Sequence, residues 1–243
     1  MGHSVVFMPE CHSTNDEASH LIERSSNVLE GTVVITNHQT SGRGQRGNTW
    51  VTEPGKNLTF SIVLKPTFLS AQDQFLLNKA FSLGLHDYLR NTLKARVKIK
   101  WPNDMVVNDK KVCGILIENQ IQGQNIQHSI VGIGLNVNQD NFSMPTATSM
   151  KVFEGKDFLL ENVLNELLSY LETRYLQLRS GNLEELNSDY LSALYWLREK
   201  HMFKKTEEIF EGEITGIDPV GRLKINVDGT TEYFELKQIQ FLK

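Results

Sequence analysis

Apolar residues recur at helical spacing in three stretches of this 243-residue chain. Beyond Ser70, the positions Phe75, Leu76, Ala80, Phe81, Leu83, Leu85 and Leu89 follow a 3.6-residue period. They predict a helix with Ser70 as its N-cap and an end near Leu93. Leu160, Val163, Leu164, Leu167, Leu168, Leu171, Tyr175 and Leu178 predict a second helix that starts at Asp157 and stops before Gly181. A third is expected from about Leu183 to Lys200. Runs rich in Val and Ile, at 32–36, 58–65, 97–101, 111–118 and 129–137, are separated by turn-forming Asn, Asp and Gly and read as strands, the last three buried. No period is visible over 138–150, which reads as a loop that folds over a ligand. After His201, apolar and polar residues alternate between the turn signals at 218–221 and at Asp228-Gly229. The expectation is therefore a larger domain over 1–200 and a small all-β domain over 201–243.

Composition narrows the class. With 40% hydrophobic and 22% charged residues the chain is ordinary for a soluble globular protein. A net charge of −4 argues against a general nucleic-acid binder, which carries a Lys/Arg excess. Cys11 and Cys113 are far apart and lack the paired spacing of a zinc site, so a reducing, cytoplasmic setting is expected. The N-terminal residues lack a basic start followed by an apolar run, and no stretch reaches the ~20 apolar residues of a membrane span.

Candidate chemistry is concentrated in three places. The run GRGQRGNTW at 42–50 sets Gly42, Gly44 and Gly47 beside Arg43 and Arg46. Without Cβ atoms the backbone N–H groups can approach a ligand closely, and guanidinium forks match carboxylate or phosphate. By itself this pattern also suits a polar hairpin or a nucleic-acid patch. In KWPNDM, at 100–105, Pro102 fixes a turn that presents Asn103 and Asp104 near Lys98 and Lys100, a set suited to a nucleotide phosphate and Mg²⁺ or to a plain Asn-Asp turn. Lys111 opens the strand at 111–118, where its ammonium could neutralise charge developing at phosphorus; Lys110 beside it should point the other way. GIGLNVN at 132–138 lacks the third glycine of a dinucleotide-binding turn, and Gly55-Lys56 lacks the rest of a P-loop. Neither a nucleophile elbow nor an HExxH metal motif is present.

Taken together, Ser13-Thr14-Asn15, Gln39, the loop at 42–50, KWPND, Lys111 with GILIE, and GIGLNVN resemble the biotin–protein ligases over nearly the whole chain and in the same order. The resemblance implies an α+β fold: a class II aminoacyl-tRNA synthetase-like catalytic domain, a mixed sheet flanked by helices, followed by a small C-terminal SH3-like β-barrel. It implies the monofunctional kind, without an N-terminal DNA-binding domain. Ser13, Thr14, Asn15 and Gln39 would contact biotin, joined by Gly42, Arg43, Gly44, Gln45 and Gly114, while Lys111 and Arg43 would act on the reacting carboxylate and α-phosphate. Arg46, Trp50, Lys100, Asn103, Asp104 and Asn136 would serve ATP, with Asp104 toward Mg²⁺ and Asn136 by the adenine. The implied partner is the lysine of a biotin carboxyl carrier protein, with a homodimer as one expected assembly. Two positions depart from the family's usual loop, since Gln45 and Asn48 stand where arginines are common. Lipoate or octanoate attachment on the same fold, and a nucleic-acid-binding module, are the rival readings.

Overall fold

The computed structural model describes residues 1–242 apart from Ser26, and the side chain of Arg46 lies outside that description. The Val/Ile-rich runs build a seven-stranded sheet from β1 (Val5–Cys11), β2 (Thr32–Gln39), β3 (Leu58–Leu64), β4 (Val97–Lys100), β5 (Asp104–Val107), β6 (Lys110–Gln122) and β7 (Asn125–Leu135). Their spatial order is β1-β2-β3-β7-β6-β5-β4. Only β1 and β2 run parallel, so the sheet is mixed.

Strand alternation divides the sheet into two faces. From β3, Leu58, Phe60, Ile62 and Leu64 enter the main core, which α2 (Phe75–Thr92), α4 (Leu160–Arg179) and α5 (Leu183–Ala193) cover. Phe60, Ile62, Leu77, Phe81 and Leu85 are fully buried there. Each contributes roughly 1.5–3 kcal/mol through loss of apolar surface to water. On the other face Val34, Val63 and Ile130 pack beneath Ala18 of α1 (Thr14–Arg24). Beyond α1 this face turns polar and small: Ser61 pairs with Gly132, Thr59 with Gly134, and Gly134 in turn with Gly114.

Element ends differ from the sequence pattern where side chains or tertiary contacts take over. Ser70 does not cap α2; its hydroxyl donates to the Asp73 carboxylate at 2.7 Å and opens a short 3₁₀ turn over Ala71–Asp73. The third helix stops at Ala193, seven residues short of Lys200, because the Tyr195 N–H is drawn to the Ile99 carbonyl at 2.8 Å. Trp196 and Arg198 then take left-handed φ values of 61° and 57° and turn the chain into the next sheet. The loop after β7 ends in α3 (Met150–Glu154), whose N-cap Ser149 accepts the Val152 N–H. The pattern did not predict β1 or α1.

The small β unit comprises β8 (Lys200–Lys205), β9 (Glu208–Ile217), β10 (Leu223–Val227), β11 (Thr230–Phe234) and β12 (Gln240–Phe241), antiparallel in the order β11-β10-β9-β8-β12. Phe203, Ile214, Leu223, Ile225 and Phe234 fill it. It is bound to the end of β4 by the Trp101 indole, which donates to the Gly221 carbonyl at 2.9 Å, and to the connector after α5 by the Arg198 N–H, which donates to the Ile214 carbonyl. At the turn between β9 and β10, burial would raise the Asp218 carboxyl, but hydrogen bonds from the Arg222 side chain and backbone outweigh this and hold it below the usual carboxylate range. The fold is the α+β class expected, a mixed sheet flanked by helices with a small β unit after it. Among the described residues no helix is long and apolar enough to cross a membrane.

Candidate active site

Where β3, β7 and β6 carry Thr59, Gly134 and Gly114 side by side, the sheet has almost no side chain to fill its α1 face, and a cavity of about 200 Å³ opens. The start of α1, the loop 42–50, residues 102–104 and Lys111 wall it, and Leu236 and Lys237 of the small β unit close one side. Glycine is required here by close approach: a Cβ on Gly132 would overlap Asn15 Oδ1, and one on Gly134 would overlap the Trp50 indole.

Its inner end is a tight polar network. Gln39 Oε1 accepts the Thr14 N–H at 2.8 Å and the Thr14 hydroxyl at 3.1 Å. Ser61 Oγ lies 2.7 Å from Thr14 Oγ1 and 2.6 Å from Asn15 Oδ1, and Asn15 Nδ2 donates to Glu118 Oε2 at 2.6 Å. Ser13, Thr14, Asn15 and Ser61 are all buried. Such a recess of fixed hydroxyl and amide groups suits a compact polar ring with both donors and acceptors.

The outer end is charged. Lys111 Nζ sits 2.6 Å from Asp104 Oδ1 and 5.6 Å from the centroid of the Trp50 ring. A register shift between β5 and β6 produces this placement. Met105 pairs with Cys113 but Val106 with Lys111, so Val112 is an extra residue bulged out of the ladder. Strict alternation from Gly114 would have put Lys110 on this face; the bulge substitutes Lys111 and leaves Lys110 exposed. Directly behind, Cys113 is sealed in the core, and burial pushes its thiol far above the ordinary range, so it is inert.

The glycine-arginine loop is folded over the mouth as a closed hairpin. Trp50 N–H donates to the Gly42 carbonyl at 2.9 Å, Gly44 N–H to the Asn48 carbonyl at 2.7 Å, and Gln45–Gly47 form a single 3₁₀ turn. Arg43 Nη2 lies 2.6 Å from Asp16 Oδ1 and 3.2 Å from Glu118 Oε2. Two polar atoms here are buried without a partner among the described residues, Gln45 Oε1 and Trp50 Nε1, which marks them as groups a ligand can satisfy.

Ser13, Thr14, Asn15, Gln39, Arg43, Gly44, Gln45, Trp50, Asn103, Asp104, Lys111 and Gly114 thus all line one cavity. Gly42 lies just behind the lining, its carbonyl tied to Trp50. Lys100 and Asn136 are placed elsewhere. Lys100 Nζ stands over the Phe241 ring at 5.0 Å, while buried Asn136 fastens the 138–150 loop, its Nδ2 donating to the Thr148 carbonyl at 2.9 Å. The side chain of Arg46 is outside the described residues. Sequence reasoning missed Asp16, Thr59, Ser61, Glu118, Leu236 and Lys237. Asp16 follows Ser13-Thr14-Asn15 directly and Glu118 ends GILIE, so both carried a positional signal; Ser61 and Leu236 carried none, because only packing brings them to the cavity.

With this geometry in place, comparison with known proteins gives one answer. The fold matches solved biotin protein ligases, among them the Aquifex aeolicus enzyme in complex with biotin and ATP, with a TM-score of 0.82 over 99% of both chains at 24% identity. Residues 9–136 match the model of the biotin/lipoate A/B protein ligase family, and the chain belongs to that family. It is 28% identical over 228 residues to the bifunctional ligase/repressor BirA of Bacillus spizizenii, covering 92% of this chain and 69% of that relative. It is 39% identical over 131 residues to the biotin–[acetyl-CoA-carboxylase] ligase of Paracoccus denitrificans, about half of each chain.

Proposed function

We infer that this chain is an ATP-dependent ligase that activates biotin as biotinyl-5′-AMP and transfers the biotinyl group to a lysine of a carrier domain. The observation that carries this reading is the bulge-directed Lys111 ammonium at the junction of the polar recess with the charged mouth. A biotin ring held by Thr14, Asn15, Ser61 and Gln39 would direct its carboxylate tail toward that ammonium. A carboxylate oxygen attacks the α-phosphorus, the bond to pyrophosphate breaks, and a mixed anhydride forms. The lysine amine then attacks the anhydride carbonyl, loses a proton and releases AMP. Both reactants of the first step are anions, so the cost lies in bringing like charges together. Lys111 and the free edge of the Arg43 guanidinium offset that cost without a protein nucleophile.

Among the described residues no group of three or more His, Cys, Asp or Glu is placed to hold a metal ion. Mg²⁺ that arrives as part of MgATP needs only one or two protein carboxylates, and Asp104, which lines the cavity, would be one that faces it. The family acts on carrier domains of biotin-dependent carboxylases, and we propose the biotin carboxyl carrier protein as acceptor. Residues 1–200 would supply the chemistry while 201–243 close one wall through Leu236 and Lys237. Cys11 and Cys113, both free thiols, suit a reducing cytoplasm. The homodimer that the resemblance implies is tested by light scattering with and without biotin.

The deciding experiment is mass spectrometry of a carrier domain after incubation with the protein, ATP, Mg²⁺ and biotin. Addition of one biotinyl group to one lysine is expected. Modification by lipoate but not biotin would move the assignment to the lipoate branch, and no modification by either would overturn it.

A further inference from the structure

The loop 42–50 is the lid of the cavity, yet among the described residues its backbone hydrogen bonds close only on itself, as through Gly42 with Trp50 and Gly44 with Asn48. Trp50 lays its indole against Gly134, and the ion pairs that tie the loop across the opening come from Arg43. This one side chain spans from the lid to the first turn of α1 at Asp16 and to β6 at Glu118, on the far wall. Both contacts use Nη2, and among the described residues no other polar contact engages the guanidinium, so its remaining edge is open to a ligand anion. Glu118 is itself held, because Asn15 Nδ2 donates to the same Oε2 at 2.6 Å. Asn15 is buried in the network of the polar recess, so the clasp is mechanically continuous with the ring-binding end of the site.

We propose that Asp16 and Glu118 are positioning residues that hold the lid shut through Arg43 and thereby set how long the activated intermediate is retained. This rests on the function proposed above. Two carboxylates on one arginine leave the clasp with a net negative charge, so it does not draw in a second anion at Nη2; it orients the guanidinium so that the opposite edge faces the cavity. Surface ion pairs are individually weak, and all three side chains here are partly exposed. That weakness suits a lid that has to open each cycle to admit substrates and the acceptor lysine.

The test compares wild type with Asp16→Asn, Glu118→Gln and the double variant, which keep size and hydrogen-bonding capacity but remove charge. Two measurements are made. Without ligand, trypsin cleavage in the 42–50 loop should quicken on the order of fivefold in the double variant, and wild-type cleavage should rise with salt while the double variant's should not. With ATP and biotin but no acceptor, biotinyl-5′-AMP already formed in the site and chased with excess unlabelled biotin should be released faster by a similar factor. Equal melting temperatures separate this from loss of fold, since the charges lie at the surface. Unchanged or slower cleavage and release in the double variant would overturn the proposal. If wild type forms no adenylate, the functional reading fails, while the ligand-free cleavage result still decides the clasp.

Discussion

On one face of β3, Phe60 and Ile62 are sealed beneath α2, while on the other Thr59 lines a cavity and Ser61 holds Thr14 and Asn15 at its wall. The neighbouring strand repeats the contrast, with Val131 and Leu135 toward the core and Gly132 and Gly134 toward the opening. Residues one position apart therefore answer to different demands. The packed face gains from every methylene, whereas the open face needs hollows and fixed polar groups whose own interactions are left for a ligand. The comparison teaches that, where α1 leaves the sheet uncovered, stability and chemistry fall on alternate residues of β3 and β7.

That separation can be broken experimentally. The largest stability effect should come from Phe60→Ala on the packed face, about 3–5 kcal/mol from lost burial and the cavity left behind, read from urea denaturation. A loss below 1 kcal/mol would show that this face is looser than its burial indicates. Lys111→Ala on the opposite face should raise the adenylation barrier by about 2–4 kcal/mol, measured as biotin-dependent pyrophosphate exchange, with little change in melting temperature. Lys110→Ala should leave exchange intact; a comparable loss there would mean that the bulge at Val112 does not choose between them.

A smaller effect is expected from Gly132→Ala, whose new methyl would displace Asn15. It should weaken biotin binding by roughly 1–3 kcal/mol, a cost typical of overpacking, and isothermal titration would reveal it. Unaltered affinity would remove Asn15 from the binding recess. The smallest concerns the back of the packed face, where Arg174 of α4 bridges Asp87 of α2 at 2.6 Å and Asp189 of α5 at 2.6 Å. Burial would raise the Asp87 carboxyl, but His86 and Arg174 beside it outweigh burial and hold it below the usual range. Because the folded value is depressed, the stability it contributes is complete above the unfolded carboxylate pKa of about 3.9 and is lost as pH falls through the folded value. Asp87→Asn should therefore cost on the order of 1 kcal/mol at pH 7, with the gap to wild type closing only below about pH 4. A gap that already closes between pH 7 and 5 would contradict this assignment.

Much of the architecture was legible in the chain because α2, α4 and the inner strands each bury an apolar stripe, and burial leaves a period. Lys111, Asp104 and the glycine-arginine loop were legible too, since they combine residue types that otherwise have little reason to be neighbours. The edge strand β1 was not: Val5 and Phe7 are exposed, its alternation lacks a buried partner, and it is held by backbone pairing to β2. The first turn of α1 was hidden because Thr14 and Asn15, neither a helix former, are the residues it buries.

Local propensity and hydrophobic period, which act through near neighbours, indicated from the sequence alone the helices, the buried strands, a β unit after them and a cationic, glycine-rich loop, while the mixed sheet under helices was implied by the resemblance that the motifs carry. Tertiary structure decided which lysine enters the cavity, through one bulged residue against β5, and which carboxylates meet Arg43, through α1 and β6 arriving at the same rim. Both outcomes depend on groups far apart in the chain. Their energies exist only once strand register and packing are fixed, so neighbouring residues could single out Lys111 but could not carry the bulge that places it or the carboxylates that meet Arg43.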